Sequence, residues 1–394
     1  MSFDAVQYQP AAVRMLRAAV AHDRMPHAYL FVGPRGVGKG LAARELAKLL
    51  FCASPRGKPG DADALDPCDA CDACVRTDRG AHPDLYWFRK EPDRNDFRLG
   101  LVARKSGGSD GTPSWLTTTV NESAALTPME ADRTVTVVDD AEFLNRNAAN
   151  ALLKTLEEPS PHAVLVLLCA DVSRLPGTIL SRCQWVRFRP LPEPFVAAKV
   201  REVLARRAEE AEGAKGKTTA PRPAPSDEEV AFVCRFAGGS IERAAALVGT
   251  GLWDLKRTLL GRLPDAGPAA ALDMAEAVVD WGKALAKQEG AKPKSAEANA
   301  VRRRTARLAL AAVASAFGDA ANLSAGGDGA DRLVNADQRP VIEALARWSP
   351  DAWARAVGLL CDGQTHVRRY VHPELATENA LVQVSRLRPV EAQT

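Results

Sequence analysis

Gly33-Pro34-Arg35-Gly36-Val37-Gly38-Lys39-Gly40 follows the apolar run Tyr29-Leu30-Phe31-Val32 and precedes the helix-like stretch Leu41–Leu50. Strand, glycine-rich turn and helix in that order make a phosphate loop. The glycines let backbone N–H groups converge on phosphate oxygens, the helix N-terminus adds positive potential, and Lys39 reaches the outer phosphates. Gly33, Gly36, Gly38, Lys39 and Gly40 are therefore candidate nucleotide-binding residues, with ATP and Mg²⁺ as the ligand pair such a loop serves. One position departs from the pattern. Phosphate loops place Ser or Thr eighth to hold Mg²⁺ by its hydroxyl, and Gly40 has none.

A second chemical feature ends the β-branched run Val135-Thr136-Val137-Val138, which reads as a buried parallel strand closing on Asp139-Asp140. An acidic pair there is a Walker B arrangement. Asp139 would orient Mg²⁺ or its water, and Asp140 stands where hydrolytic NTPases usually carry Glu to position the attacking water. By itself such a pair is as often a helix cap; the phosphate loop gives it a nucleotide context.

Cysteine supplies the third feature. Of eight cysteines, Cys68, Cys71 and Cys74 recur at three-residue spacing, and Cys52 ends the helix that follows the phosphate loop. Four thiolates make a closed tetrahedral Zn²⁺ site with no open position for catalysis, so the metal would be structural. An iron–sulfur cluster and four reduced structural thiols are the alternatives; ferredoxin-type runs add a fourth Cys-Pro soon after, whereas Cys74 precedes Val75. His82, in Ala81-His82-Pro83-Asp84, and Cys169, in an apolar strand, read as structural.

These residues need elements to carry them. Residues 1–190 alternate helical patterns with short apolar strands, and residues 226–394 read almost wholly helical, so an α/β domain with a parallel sheet is expected before all-α domains. Arg189-Pro190-Leu191-Pro192-Glu193-Pro194 marks the boundary, since proline continues neither element. Residues 209–225 lack large apolar side chains and read as a mobile insertion. Ser226-Asp227-Glu228-Glu229 has capping-box spacing and starts the next helix. Residues 92–118 and Gly290–Lys294 read as loops, and helices are expected at Ala269–Ala286, Ala300–Phe317, Pro340–Trp348 and Asp351–Leu360.

Composition limits the function classes. Lys plus Arg number 52 and Asp plus Glu 49, a net charge of +3 that is too balanced for binding nucleic acid by bulk charge. The apolar runs Ala163–Ala170 and Leu308–Phe317 fall short of the ~20 residues that span a bilayer, and the N-terminus lacks a signal-peptide pattern. A cytoplasmic protein without membrane contact is expected.

The runs GPRGVGK (33–39), VVDDAE (137–142), NALLKTLEEP (150–159) and PGTILSRC (176–183) closely resemble the AAA+ subunits of the bacterial DNA polymerase III clamp loader, the delta-prime type most of all. The resemblance implies a RecA-like AAA+ domain to residue 190, with helices on both faces of the sheet and the zinc module inserted. A helical lid (191–252) and a helical collar (253–394) would follow. It implies a hetero-pentamer with motor (gamma/tau) and delta subunits that loads a sliding clamp onto primed DNA. Arg182, in Ser181-Arg182-Cys183, would be an arginine finger acting on the ATP of the adjacent subunit. Gly238–Arg243 resembles the helix start that carries the sensor-2 arginine. Motor subunits keep a hydroxyl at Gly40, Glu at Asp140 and a sensor Thr near Cys169-Ala170, so these departures imply a subunit without ATPase of its own. An autonomous motor-type ATPase is the alternative, and a zinc-dependent DNA-binding module a weaker one.

Overall fold

Strands apolar on both faces bury those faces only inside a sheet flanked by helices, and three such strands lie at the centre of a five-stranded sheet in the first half of the chain. β1 (Ala28–Val32), β2 (Leu85–Arg89), β3 (Thr134–Asp139), β4 (Ala163–Cys169) and β5 (Gln184–Arg187) form one sheet of order β2-β3-β4-β1-β5. Every pairing is parallel, with Leu30 opposite both Leu167 and Trp185. The computed structural model describes residues 2–57, 60–61, 63–90, 97, 99–103, 118–213, 225–326, 333–369 and 371–387, and the chain divides into two compact units, Met1–Pro192 and Glu193–Thr394.

The first unit carries α1 (Pro10–Ala21), α2 (Lys39–Phe51), α3 (Asp72–Asp78), α4 (Leu99–Val102), α5 (Val120–Ala125), α6 (Arg146–Glu157) and α7 (Gly177–Leu180). Alternation along a strand sends neighbours to opposite faces. Leu165 and Leu167 join Ala149, Leu152 and Leu156 of α6 in one core, while Leu168 lies on the side of Gly40 in α2. Helices therefore cover both faces. Order, parallel pairing and two covered faces make this the α/β fold expected.

The stretch 92–118 is not wholly a loop. Phe97 is buried and donates its N–H to the Phe143 carbonyl at 2.8 Å, and α4 adds Leu101 and Val102 to the core that α6 covers. The polar run after them hid this anchor; residues 91–96, 98 and 104–117 lie outside the described residues.

The second unit is helical: α8 (Glu193–Gly213), α9 (Asp227–Phe236), α10 (Ile241–Leu247), α11 (Leu252–Arg262), α12 (Pro268–Gln288), α13 (Ala296–Ala325), α14 (Arg339–Ala346), α15 (Pro350–Arg368) and α16 (Pro373–Ser385). α8 runs five residues into the expected insertion, because Ala and Glu propagate a helix without burying anything; residues 214–224 lie outside the described residues. The helices expected after residue 268 are all present; three are longer than expected, and α14 is shifted to Arg339–Ala346, ending two residues before Trp348. By length and composition α13 could cross a membrane, yet here Leu310, Val313, Ala316 and Phe317 pack into a core with α12, α14 and α15. Ser226 caps α9 through the Glu229 N–H at 3.1 Å, but the Glu229 carboxylate takes the Gly249 N–H at 2.9 Å instead of closing the box.

Candidate nucleotide site and metal centre

The phosphate loop leaves β1 and enters α2 at Lys39. Gly36 (φ 69°) and Gly38 (φ 101°) take left-handed conformations open to glycine. Gly33 is needed for proximity, since a Cβ there would lie 2.5 Å from the Phe188 carbonyl oxygen beyond β5. Buried Gln9 ties the same corner together: Nε2 donates to Arg189 O at 2.8 Å and Val37 O at 3.4 Å, and Oε1 accepts the Arg189 N–H at 2.8 Å. Sequence reading missed this residue, which belongs to no motif. Lys39 Nζ donates to the Gly33 and Pro34 carbonyls at 2.7 Å each. Burial pushes its pKa down against the opposing pull of Glu142 and Asp139.

Sheet order sets the acids beside this loop, because β4 alone separates β1 from β3. Asp139 ends β3, and its Oδ2 accepts from Arg89 Nε at 3.0 Å and Nη2 at 2.6 Å while Oδ1 accepts the Asp140 N–H at 3.0 Å. Asp140, at φ 63°, pairs with Arg35 of the phosphate loop. Burial raises its carboxyl pKa and the Arg35 charge opposes that rise. Arg35 also reaches Glu142 Oε1 at 3.4 Å, and Glu142 Oε2 accepts the Ala170 N–H at 3.2 Å just after β4. The residues present do not match the usual holders of a catalytic magnesium ion: Gly40 has no side-chain oxygen, and each carboxylate is paired with a guanidinium group of the same chain. Sequence reading named Asp139 and Asp140 and missed Arg35, Arg89 and Glu142; the arginine inside the loop was the available signal.

The cysteines converge as expected. The four sulfurs of Cys52, Cys68, Cys71 and Cys74 lie within 4.8 Å of one another, with Cys68 and Cys74 3.9 Å apart. Metal–sulfur bonds of about 2.3 Å in a tetrahedron separate sulfurs by about 3.8 Å, so the set fits one tetrahedral ion. Cys68 Sγ accepts the Cys71 N–H and Cys52 Sγ the Cys68 N–H, each at 3.3 Å. Backbone N–H groups of Ala70 and Cys71 lower the Cys68 thiol to about 6, whereas burial raises Cys52 and Cys74. Cys169 is buried and pushed up to about 12 by that burial, as a core thiol should be. His82 does not join the sulfurs: its ring stacks on Phe51 at 4.2 Å and Nδ1 accepts the Asp84 N–H at 3.2 Å. Asp84 in turn accepts three backbone N–H groups, from Met129, Glu130 and Ala131.

Arg182 follows α7, its side chain 36% exposed, with Nη2 2.8 Å from Glu157 Oε1 at the end of α6 and Nη1 donating to Thr178 O at 3.0 Å. In the second unit Ser240 caps α10, and the Arg243 guanidinium lies over the Phe236 ring at 5.3 Å.

A phosphate loop after β1, acids after β3 and this strand order define a P-loop NTPase domain of AAA+ type. Residues 8–192 match the family described as "DNA polymerase III, delta subunit". The chain is 36% identical over 185 residues to the DNA polymerase III subunit delta' of Bacillus subtilis, covering 47% of this chain and 49% of that one. The delta' subunit of Pseudomonas aeruginosa is 36% identical over 180 residues, 46% of this chain and 47% of that one. The tau subunit of Bacillus subtilis is 27% identical over 202 residues, 51% of this chain and 31% of that one. Over this half the chain is similar to the delta' and tau subunits of bacterial DNA polymerase III. It spans about half the length of the delta' relatives it matches.

Proposed function

We propose that this protein is a delta-prime-like subunit of a DNA polymerase III clamp loader, a cytoplasmic stator that hydrolyses no ATP itself. The observation that carries this reading is the arrangement around Asp139 and Asp140, each paired with an arginine of its own chain beside a loop whose Gly40 lacks the metal-holding hydroxyl. Phosphoryl transfer depends on a positioned cation and an oriented water, and both of their carboxylate partners are engaged here.

In this reading Gly33, Gly36, Gly38 and Lys39 keep the form of a nucleotide site without its catalysis. The four cysteines hold a structural Zn²⁺. α8–α10 form a lid and α11–α16 a collar that joins motor (gamma/tau) and delta subunits in a hetero-pentamer. That assembly acts on a sliding clamp and primed DNA. Arg182 leaves Glu157 to meet the γ-phosphate bound by the adjacent subunit. The intact Gly33–Lys39 loop favours a second reading, an autonomous motor subunit. Steady-state ATPase of the purified full chain with Mg²⁺ separates the two. Background turnover is expected; turnover abolished by Lys39→Ala would establish the motor reading.

A further inference from the structure

We propose that Lys48 is a positioning residue of the cysteine centre, holding the Cys68–Cys71 turn in its ligating shape. The inference rests on reading the four cysteines as a metal site.

Lys48 lies in the last turn of α2, one turn before Cys52, with its side chain wholly buried. Its ammonium contacts Asp69 and lies 3.1 Å from both Glu45 Oε2 and Asp78 Oδ2. Those carboxylates belong to the segments that deliver the sulfurs. Glu45 is on α2, which ends at Cys52; Asp69 stands between Cys68 and Cys71; Asp78 ends α3, which carries Cys74. Asp69 adopts φ 62°, a left-handed conformation unfavourable for a non-glycine residue unless its side chain is held. That conformation turns the following backbone so that the Cys71 N–H reaches Cys68 Sγ. Arg56 grips the turn from outside, with Nη2 3.4 Å from Asp69 Oδ2 and Nε donating to Pro67 O at 3.0 Å. Lys48 is thus a buried cation that contacts a carboxylate from each of the three segments.

Co²⁺ titration of the metal-stripped full chain, read by the thiolate-to-cobalt charge-transfer band in competition with a chelator, tests this. Lys48→Met removes the charge at similar volume, and Asp69→Asn loosens the turn while leaving the buried lysine in place. Loss of an outer-shell partner typically costs 10–100-fold in metal affinity, and a fall of about that size is expected for each variant, including Asp69→Asn if Lys48→Met fails to fold. Wild-type Co²⁺ affinity in folded variants, with melting lowered equally in stripped and loaded protein, would make Lys48 a packing residue and overturn the proposal. A wild-type chain that gives no thiolate band overturns the metal centre and the proposal together.

Discussion

A carboxylate serves a cation or a water only where no nearer charge holds it, and Asp139 and Asp140 are each held by an arginine. Restoring the missing hydroxyl should therefore not restore hydrolysis. In Gly40→Thr the added Cβ would meet the Trp87 ring at 3.6 Å and Leu168 at 3.8 Å, ordinary van der Waals contacts. The variant should fold with wild-type circular dichroism and show background ATPase; turnover in it would mean that Gly40 alone silences the site. The glycines, Lys39, both acids and the cysteines were legible because their spacing is local. Arg89 was not: it meets Asp139 across 50 residues, and only the pairing of β2 with β3 brings them together. Glu45 is fully buried and raised by that burial to about 7, partly offset by Lys48. An acid with a raised folded pKa binds protons more tightly in the native state, so its contribution is complete below about 4.5 and lost as pH rises through about 7. That loss is on the order of 3 kcal/mol. Urea unfolding of Glu45→Gln should match the wild type near pH 5 and exceed its stability near pH 8; parallel pH profiles would refute the assignment.

At the scale of elements, β5 and the phosphate loop are fitted backbone to backbone. Adding the methyl of Gly33→Ala puts carbon 2.5 Å from the Phe188 carbonyl oxygen, so one segment must move. A loss of about 1–3 kcal/mol is expected, read as a lower urea midpoint, and an unchanged midpoint would show that the corner relaxes freely. β1, β3 and β4 were readable because runs such as Ala163–Cys169 are buried at nearly every position, whereas the edge strands β2 and β5, only partly buried, were not named. Short or polar-flanked elements were less readable. α4 is only Leu99–Val102, and its helical role depends on packing into the core covered by α6 rather than on any period in its own sequence. The C-terminal part of α8 was misread for a related reason: lack of apolar side chains excludes a core, not a helix.

For the whole molecule, the cysteine centre should act as a staple for the first unit. Chelation, or Cys71→Ser, should remove about one Zn²⁺ per chain and lower the melting temperature, since metal binding is coupled to folding; metal analysis that finds iron or no metal would refute zinc. Under the proposed function this chain withholds catalysis from its own site and supplies Arg182 to a neighbour's. The Arg182–Glu157 pair is partly exposed and worth about 1 kcal/mol or less, so Arg182→Ala should keep the fold, metal content and melting temperature of the isolated chain. A trans guanidinium, by contrast, is worth ~10³–10⁵ in rate at the site it serves. The most direct test is DNA-stimulated ATPase and clamp loading by the complex reconstituted with motor and delta subunits, with wild type or Arg182→Ala in this position. Partial loss of ATPase, from silencing of one site, with a larger loss of loading is the predicted result; wild-type rates of both would contradict it.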